Sequence, residues 1–381
     1  MRFLRTISTR RLLALCLSAV AIAAGGTAIA IAAGGSGPTP PAKPLARAVH
    51  DGLKAPTVQG ITARVKFTNH LIDSSGIHGA NPLLTGADGR LWFAPGKGFR
   101  LELQSDNGDA QVVANPQRFF VYDGTSNTVY RGKVPQHRES RAERRAERGH
   151  KVPSVARIQQ GLNRARKHKL DISGPVPGNI AGQPAYTVRV GPGEPGGLLG
   201  AVELAWDAAR GLPLRVAVYA RGNNDPVLEL VATEISYGPV DTSNFAINPP
   251  ADAHVVNVDT AGRHDRSGRR AAAKLPFKVS APKTLAGRKR SGVRVLHGRV
   301  AVVRYGRNLD GLLVIEKAAK PESQTQGRHH LELPTVDING ATAKVIDTPL
   351  GSVVTFQRGG VQYTVLGSVH ASVAETAARG L

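Results

Sequence analysis

Residues 61–68, Ile-Thr-Ala-Arg-Val-Lys-Phe-Thr, carry an apolar side chain at every second position: Ile61, Ala63, Val65 and Phe67 alternate with Thr62, Arg64, Lys66 and Thr68. A period of two puts one set on each face of a strand, so this strand is half buried. The rhythm returns in Phe99, Leu101 and Leu103, in Tyr186, Val188 and Val190, in Val202, Leu204 and Trp206, in Leu214, Val216 and Val218, and in Leu228 and Leu230. Turn chemistry separates these runs: Pro95-Gly96, Asp123-Gly124, Gly211-Leu212-Pro213 and Gly222-Asn223-Asn224-Asp225. With 43 Gly and 25 Pro in 381 residues, many short strands are expected rather than stacked helices. No strand–helix–strand rhythm appears, which excludes a doubly wound fold. One apolar and one polar face over eight or more antiparallel strands predicts a curved sheet that encloses its apolar side.

Two helices interrupt the pattern. Leu45, Ala48, Val49, Gly52 and Leu53 share one helical face, as do Val155, Ile158, Leu162 and Ala165. The second set ends a stretch, residues 131–170, with 13 basic and 3 acidic residues. This basic insertion reads either as an arm over an anionic surface, with Arg141, Arg144, Arg145 and Arg148 as its contacts, or as a solvated charged helix in a long loop. No aromatics interleave the arginines as a stacking platform for nucleic acid would need, so no nucleic-acid partner is expected.

Residues 1–11 hold Arg2, Arg5, Arg10 and Arg11 and no acid, and residues 12–35 run without a charge. A basic start followed by an apolar run is an export signal or a membrane anchor. The run is longer than a usual signal core and long enough to span a bilayer, which favours a retained anchor; Ala28-Ile29-Ala30 and Ala30-Ile31-Ala32 leave cleavage open. Cys16, the one cysteine, reads as a small apolar residue of that segment, because Leu15 is too bulky to precede a lipidated cysteine. Residues 36–44 form a Pro/Gly linker, and everything beyond is expected outside the cytoplasm. The formal charge is +22, and without the four leader arginines +18 remains, a basic excess that points to an anionic membrane or cell-wall surface.

Residues 259–274 read as a basic linker. From 275 to 381 a second, smaller unit is expected: strands near 293–296, 300–305 and 312–315, hairpins at Asn339-Gly340 and Arg358-Gly359-Gly360, and a last helix from Ser372 with Glu375 as a capping box. The predicted fold class is mainly β (α+β): a half-open antiparallel β-barrel with covering helices over 45–258, then a small α+β domain.

Motifs for catalysis are missing: no HExxH, no GxSxG, no phosphate loop ending in Gly-Lys-Ser/Thr, and no cysteine nucleophile in the exported part. Asp73, Asp88 and Asp123 sit beside Gly or Ser, where Asp caps turns. His329 and His330, adjacent on an extended segment, point opposite ways and have no acidic cluster near them. No catalytic residue, metal or cofactor is expected. Trp92, Phe93 and Trp206 read as core, which in a half-open barrel is also cavity wall. The alternation singles out Val65, Phe67, Phe93, Leu101, Leu103, Val188, Leu204, Trp206, Val216 and Val218 as candidates to line a lipid-binding cavity.

An ordered series carries a resemblance: Leu91-Trp92-Phe93, Phe119-Phe120-Val121-Tyr122-Asp123-Gly124, Val129-Tyr130-Arg131, a helix, Ala181-Gly182-Gln183-Pro184-Ala185-Tyr186, Trp206-Asp207, Gly211-Leu212-Pro213-Leu214-Arg215, and Phe245 before Pro249-Pro250. Over roughly residues 44–258 it resembles the LolA-like proteins, whose relatives include the RseB/MucB sigma-factor regulators; the tail is similar to the second domain of the RseB type. The Ala- and Arg-rich composition suggests an actinobacterium. The resemblance implies an apolar half-barrel holding a lipid or an acylated protein as carrier or sensor, without enzymatic activity. Its alternative implication is a regulator holding a membrane-bound anti-sigma factor.

Overall fold

The computed structural model describes residues 37–71, 82–106, 108–134, 152–194, 196–246, 248–258, 266–267, 272–307, 311–319 and 333–381. The apolar segment 12–35, the arginines 141, 144, 145 and 148, Asp73 and His329-His330 lie outside them. The chain divides into two compact units, Met1–Glu194 with Gly200–Thr260, and Pro195–Leu199 with Ala261–Leu381.

Among the described residues the first unit is built on thirteen strands: β1 (Ile61–Asn69), β2 (Ala87–Ala94), β3 (Gly98–Ser105), β4 (Gly108–Ala114), β5 (Arg118–Asp123), β6 (Thr128–Lys133), β7 (Leu170–Ile172), β8 (Val176–Ile180), β9 (Gln183–Pro192), β10 (Leu199–Asp207), β11 (Pro213–Ala220), β12 (Pro226–Tyr237) and β13 (His254–Asn257). They pair in the order β13-β6-β5-β4-β3-β2-β1-β12-β11-β10-β9-β7, with β8 also on β9. The path has two free ends, so the sheet curls without closing: a half-open barrel. β1, the strand of residues 61–68, lies mid-path, between β2 and β12. One pairing departs from the all-antiparallel expectation: β13 runs parallel to β6. The crossover from β12 that brings it there also covers the outer face of β4–β6, where Ala253 and Val255 pack on Val113, Phe120 and Val129.

Helix α1 (Leu45–Lys54) buries Leu45, Ala48, Val49 and Leu53 against Tyr186, Val188, Leu204 and Trp206. It ends at Ala55, held extended by the following Pro56. The short α2 (Pro82–Thr85) lies over β1, β3 and β4. Helix α3 (Val155–Lys167) starts at Ser154, whose hydroxyl accepts the Arg157 N–H at 3.3 Å, and ends in Arg164, Arg166 and Lys167, which suit the negative end of its dipole. Ile158, Leu162 and Ala165 pack against the same cluster as α1.

Among the described residues the second unit has nine strands: β14 (Arg266–Ser267), β15 (Thr284–Leu285), β16 (Arg288–Leu296), β17 (Val300–Tyr305), β18 (Leu312–Ala318), β19 (Thr335–Ile338), β20 (Ala341–Thr348), β21 (Gly351–Arg358) and β22 (Val361–Gly367), ordered β14-β16-β17-β18-β22-β21-β20-β19, with β15 on β16. Helix α4 (Ala371–Arg379) packs Ala374, Ala377 and Ala378 into the core of this sheet. Both hairpins have two central residues at positive φ (Asn339 and Gly340, Gly359 and Gly360), as the twist-matched two-residue turn requires. The capping-box expectation fails here, and a short pairing lies within the 259–274 stretch. Arg266–Ser267, inside the stretch read as linker, form a strand paired with Val295 and Arg294. Helix α4 starts at Ala371 with His370 as N-cap and no side-chain cap bond. Ser372 therefore sits inside the first turn, and Glu375 pairs instead with Arg379 at 3.2 Å.

Candidate functional site: an apolar ladder on the concave face

Strand register aligns the inward side chains of the first unit into rows across the sheet. Ile235 on β12 faces Ala63 on β1, which faces Leu91 on β2, and the row continues through Leu101, Val112, Val121 and Tyr130 on β3 to β6. Seven neighbouring strands thus present seven apolar side chains in line. At about 4.8 Å per strand the row runs for roughly 29 Å along the curved sheet. Except for the small Ala63 its members are half-buried or, in Tyr130 at 41 %, exposed.

The flanking rows are mostly closed. On one side lie Tyr237, Ile61, Phe93, Phe99, Ala114 and Phe119, over which Leu212 and Val134 pack. On the other lie Val65, Leu103 and Ala110, beside α2 and Leu83. The middle row is therefore the accessible one, and its seven members carry no ionisable group but the Tyr130 phenol. Asp123, in the row below, is committed to its turn: it accepts the Thr125 and Ser126 N–H groups at 3.1 and 3.4 Å and the Ser126 hydroxyl at 2.8 Å. The face is suited to holding an apolar chain.

The ten residues chosen by alternation all face inward but divide between two clusters. Val188, Leu204 and Trp206, with Val216 and Val218 beside them, pack under α1 and α3; Val65, Phe93 and Leu103, with Phe67 and Leu101 beside them, belong to the cluster on β1–β4. Of the ten, only Leu101 stands in the accessible row. Leu91, Val112, Val121, Tyr130 and Ile235 were not singled out. Around β4–β6 both faces are apolar, as Val113, Phe120 and Val129 on the outer side attest, so alternation there does not distinguish inside from outside. Trp92, next to Phe93, necessarily faces outward, packing near Ala94, Val240 and Phe245.

Two buried polar groupings hold this sheet in shape. Asp207, wholly buried, accepts the Ala209 and Arg210 N–H groups at 2.8 and 2.9 Å through one oxygen, and the Tyr237 hydroxyl at 2.6 Å and Arg210 at 3.1 Å through the other. Burial pushes the Tyr237 hydroxyl well above its ordinary pKa, and the bond to Asp207 pushes it further. The turn so fixed carries Leu212 into the core. On the outer face Arg215 bridges Glu203 and Glu229 and donates to the Tyr219 hydroxyl at 2.9 Å, while Arg189 lies 4.2 Å over the Tyr219 ring. Burial alone would lower the Arg215 guanidinium; Tyr219 and the two carboxylates outweigh it and raise it. Two arginines and two glutamates cancel, and the grouping ties β9 to β12. Among the described residues no three His, Cys, Asp or Glu side chains gather where a metal ion would bind, and no helix is long and apolar enough to cross a membrane.

No family model and no curated protein matches the chain. Among solved structures it is similar to MucB, at 16 % identity with 88 % of this chain and 96 % of that chain covered and a TM-score of 0.40. It is also similar to the complex of Pseudomonas aeruginosa MucA/MucB, at 17 % identity, 88 % and 94 % coverage and a TM-score of 0.39. An uncharacterized conserved protein from Thermus thermophilus covers 56 % of this chain and 97 % of its own, at 15 % identity and a TM-score of 0.33.

Proposed function

We propose that the protein is an exported, non-catalytic binding protein of the RseB kind, which holds the extracytoplasmic part of a membrane-bound anti-sigma factor and takes a lipid or acylated group on the concave face of its first unit. The observation that carries the ligand half is the accessible row Leu91–Leu101–Val112–Val121–Tyr130, a continuous apolar strip whose one ionisable group is the Tyr130 phenol. An acyl chain that buries ten methylenes there gains roughly 8 kcal/mol before the cost of immobilising it. The regulatory half rests on the resemblance carried by residues 44–258 and on the division into two units; a carrier needs only the first. Export rests on the arginines and the uncharged run of residues 1–35.

The test is capture of the full chain from mild-detergent extracts of its own cells, with mass spectrometry of both protein and lipid. A stoichiometric membrane protein with a single spanning helix supports the regulatory reading. Bound lipid without a protein partner leaves the carrier reading and overturns the regulatory one. Neither lipid nor partner overturns both.

A further inference from the structure

Residues 272–283, Ala-Ala-Lys-Leu-Pro-Phe-Lys-Val-Ser-Ala-Pro-Lys, alternate like a strand, with Leu275, Phe277, Val279 and Ala281 at every second position. Pro276 and Pro282 lack the N–H a sheet ladder needs, and the segment runs as an unpaired strap on the second unit. Phe277, Val279 and Ala281 pack on that unit's core.

The strap is held in place. The Ser280 N–H donates to Glu316 Oε2 at 2.8 Å and the Ser280 hydroxyl to the Leu381 carbonyl at 3.1 Å. The Arg290 guanidinium donates to the Ala281 carbonyl, and the Arg290 N–H to the Lys283 carbonyl at 2.9 Å. Between strap and sheet lies a cleft of about 830 Å³, within the range of small-molecule sites. Leu275, Phe277, Val279 and Val293 give it apolar walls. Its charged lining is all cationic: Lys278, Lys283 and Arg290. Lys278 and Lys283 are exposed and have no acidic partner among the described residues.

We infer that this cleft is a second ligand site, separate from the concave face of the first unit, and that it takes an anionic amphiphile. The apolar chain lies against Leu275, Phe277, Val279 and Val293, and the anionic head sits between Lys278 and Lys283. The inference holds whether or not the first unit binds a lipid. An uncharged amphiphile of the same chain length lacks the contact with the lysines, so the site discriminates by head group.

The test uses the full chain in phosphatidylcholine nanodiscs, labelled in one arm with a diazirine fatty acid and in another with diazirine phosphatidylglycerol in the disc, with adducts mapped by peptide mass spectrometry. Adducts within 275–293 are expected. Labelling by the fatty acid alone identifies a free amphiphile; labelling by the phospholipid identifies a membrane headgroup; either supports the site. The double variant Lys278→Glu/Lys283→Glu, on exposed side chains, should lower labelling there by roughly 25-fold or more, since each cation near an anionic head contributes about a factor of five. Labelling on the apolar row of the first unit should be unchanged. Adducts on that row alone, equal labelling of the charge-reversed variant, or equal labelling by a diazirine fatty alcohol overturns the inference.

Discussion

Glu316 is a carboxyl with no exposure, one oxygen bonded to the Ser280 N–H and the other without a partner. Burial raises it to about 7, partly offset by that bond. The groups that face it titrate far away: burial lifts the Tyr305 hydroxyl to about 12 and raises Tyr363, and the cations near those rings are the guanidiniums of Arg290 and Arg358. A glutamate with an ordinary value of 4.5 when unfolded and about 7 when folded stabilises the second unit fully below pH 4.5. That contribution is lost as pH rises to about 7 and is flat beyond. The difference is about 3 kcal/mol. Glu316→Gln should therefore make the unit more stable above pH 7 and remove the decline between pH 5 and 7, as read by amide hydrogen exchange in β18 and β22. The same fall in the variant would assign the pH dependence elsewhere. Gly211 is a second residue whose identity is dictated by its surroundings. It has φ +66, and a Cβ there would lie 2.1 Å from the Gly52 carbonyl of α1. Gly211→Ala should cost about 2–4 kcal/mol, from the left-handed backbone and the clash together, measured by urea unfolding of the first unit. Glu316 and Gly211 are both ordinary residues in the chain; only the neighbours brought to them by folding give them meaning.

Among the elements, the two halves of the concave face should respond differently to substitution. Leu204 is wholly buried beneath α1 and α3, so Leu204→Ala should cost about 2–5 kcal/mol and lower the unfolding midpoint followed by tryptophan fluorescence; both tryptophans lie in this unit. Leu101 and Val112 are half-buried in the accessible row. Leu101→Ser with Val112→Ser should weaken binding of a fluorescent fatty acid at least tenfold while costing far less stability than Leu204→Ala. Unchanged binding would remove the row from the ligand site. Strands such as β1 and β3 were legible from alternation, because each has one face in the core and one more exposed; β10 is buried on both faces. β4 to β6 were less so, because the return of the chain after β12 covers their outer side and makes both faces apolar. The helices α1 and α3 were legible from their 3.6-residue period, but not which strands they cover. That depends on register among strands far apart in sequence.

For the molecule as a whole, the excess of positive charge is its plainest property, and 131–170 carries +10 of it. Near an anionic surface each Lys or Arg contributes about 1 kcal/mol, fading over a Debye length of about 10 Å at 0.1 M salt. Binding of the chain to phosphatidylglycerol vesicles should thus be strong at low salt and weak at high salt. Replacing Arg141, Arg144, Arg145 and Arg148 by Gln should remove most of it, because the variant loses four of this stretch's positive charges. Vesicle sedimentation checks this, and equal binding by the variant would reduce the arginines to a solvated face. Charge, the uncharged run of residues 12–35, strand-rich class, turn positions and the poverty of catalytic motifs were determined by the sequence alone, because each is a property of residue type and local spacing. Which apolar residues form the accessible row, that β13 returns parallel to β6, that Arg266–Ser267 pair with β16, and that Glu316 is buried beneath the 272–283 strap were decided only by the tertiary structure. These depend on contacts between segments tens to more than a hundred residues apart, and nothing in local periodicity encodes which partner a strand will find.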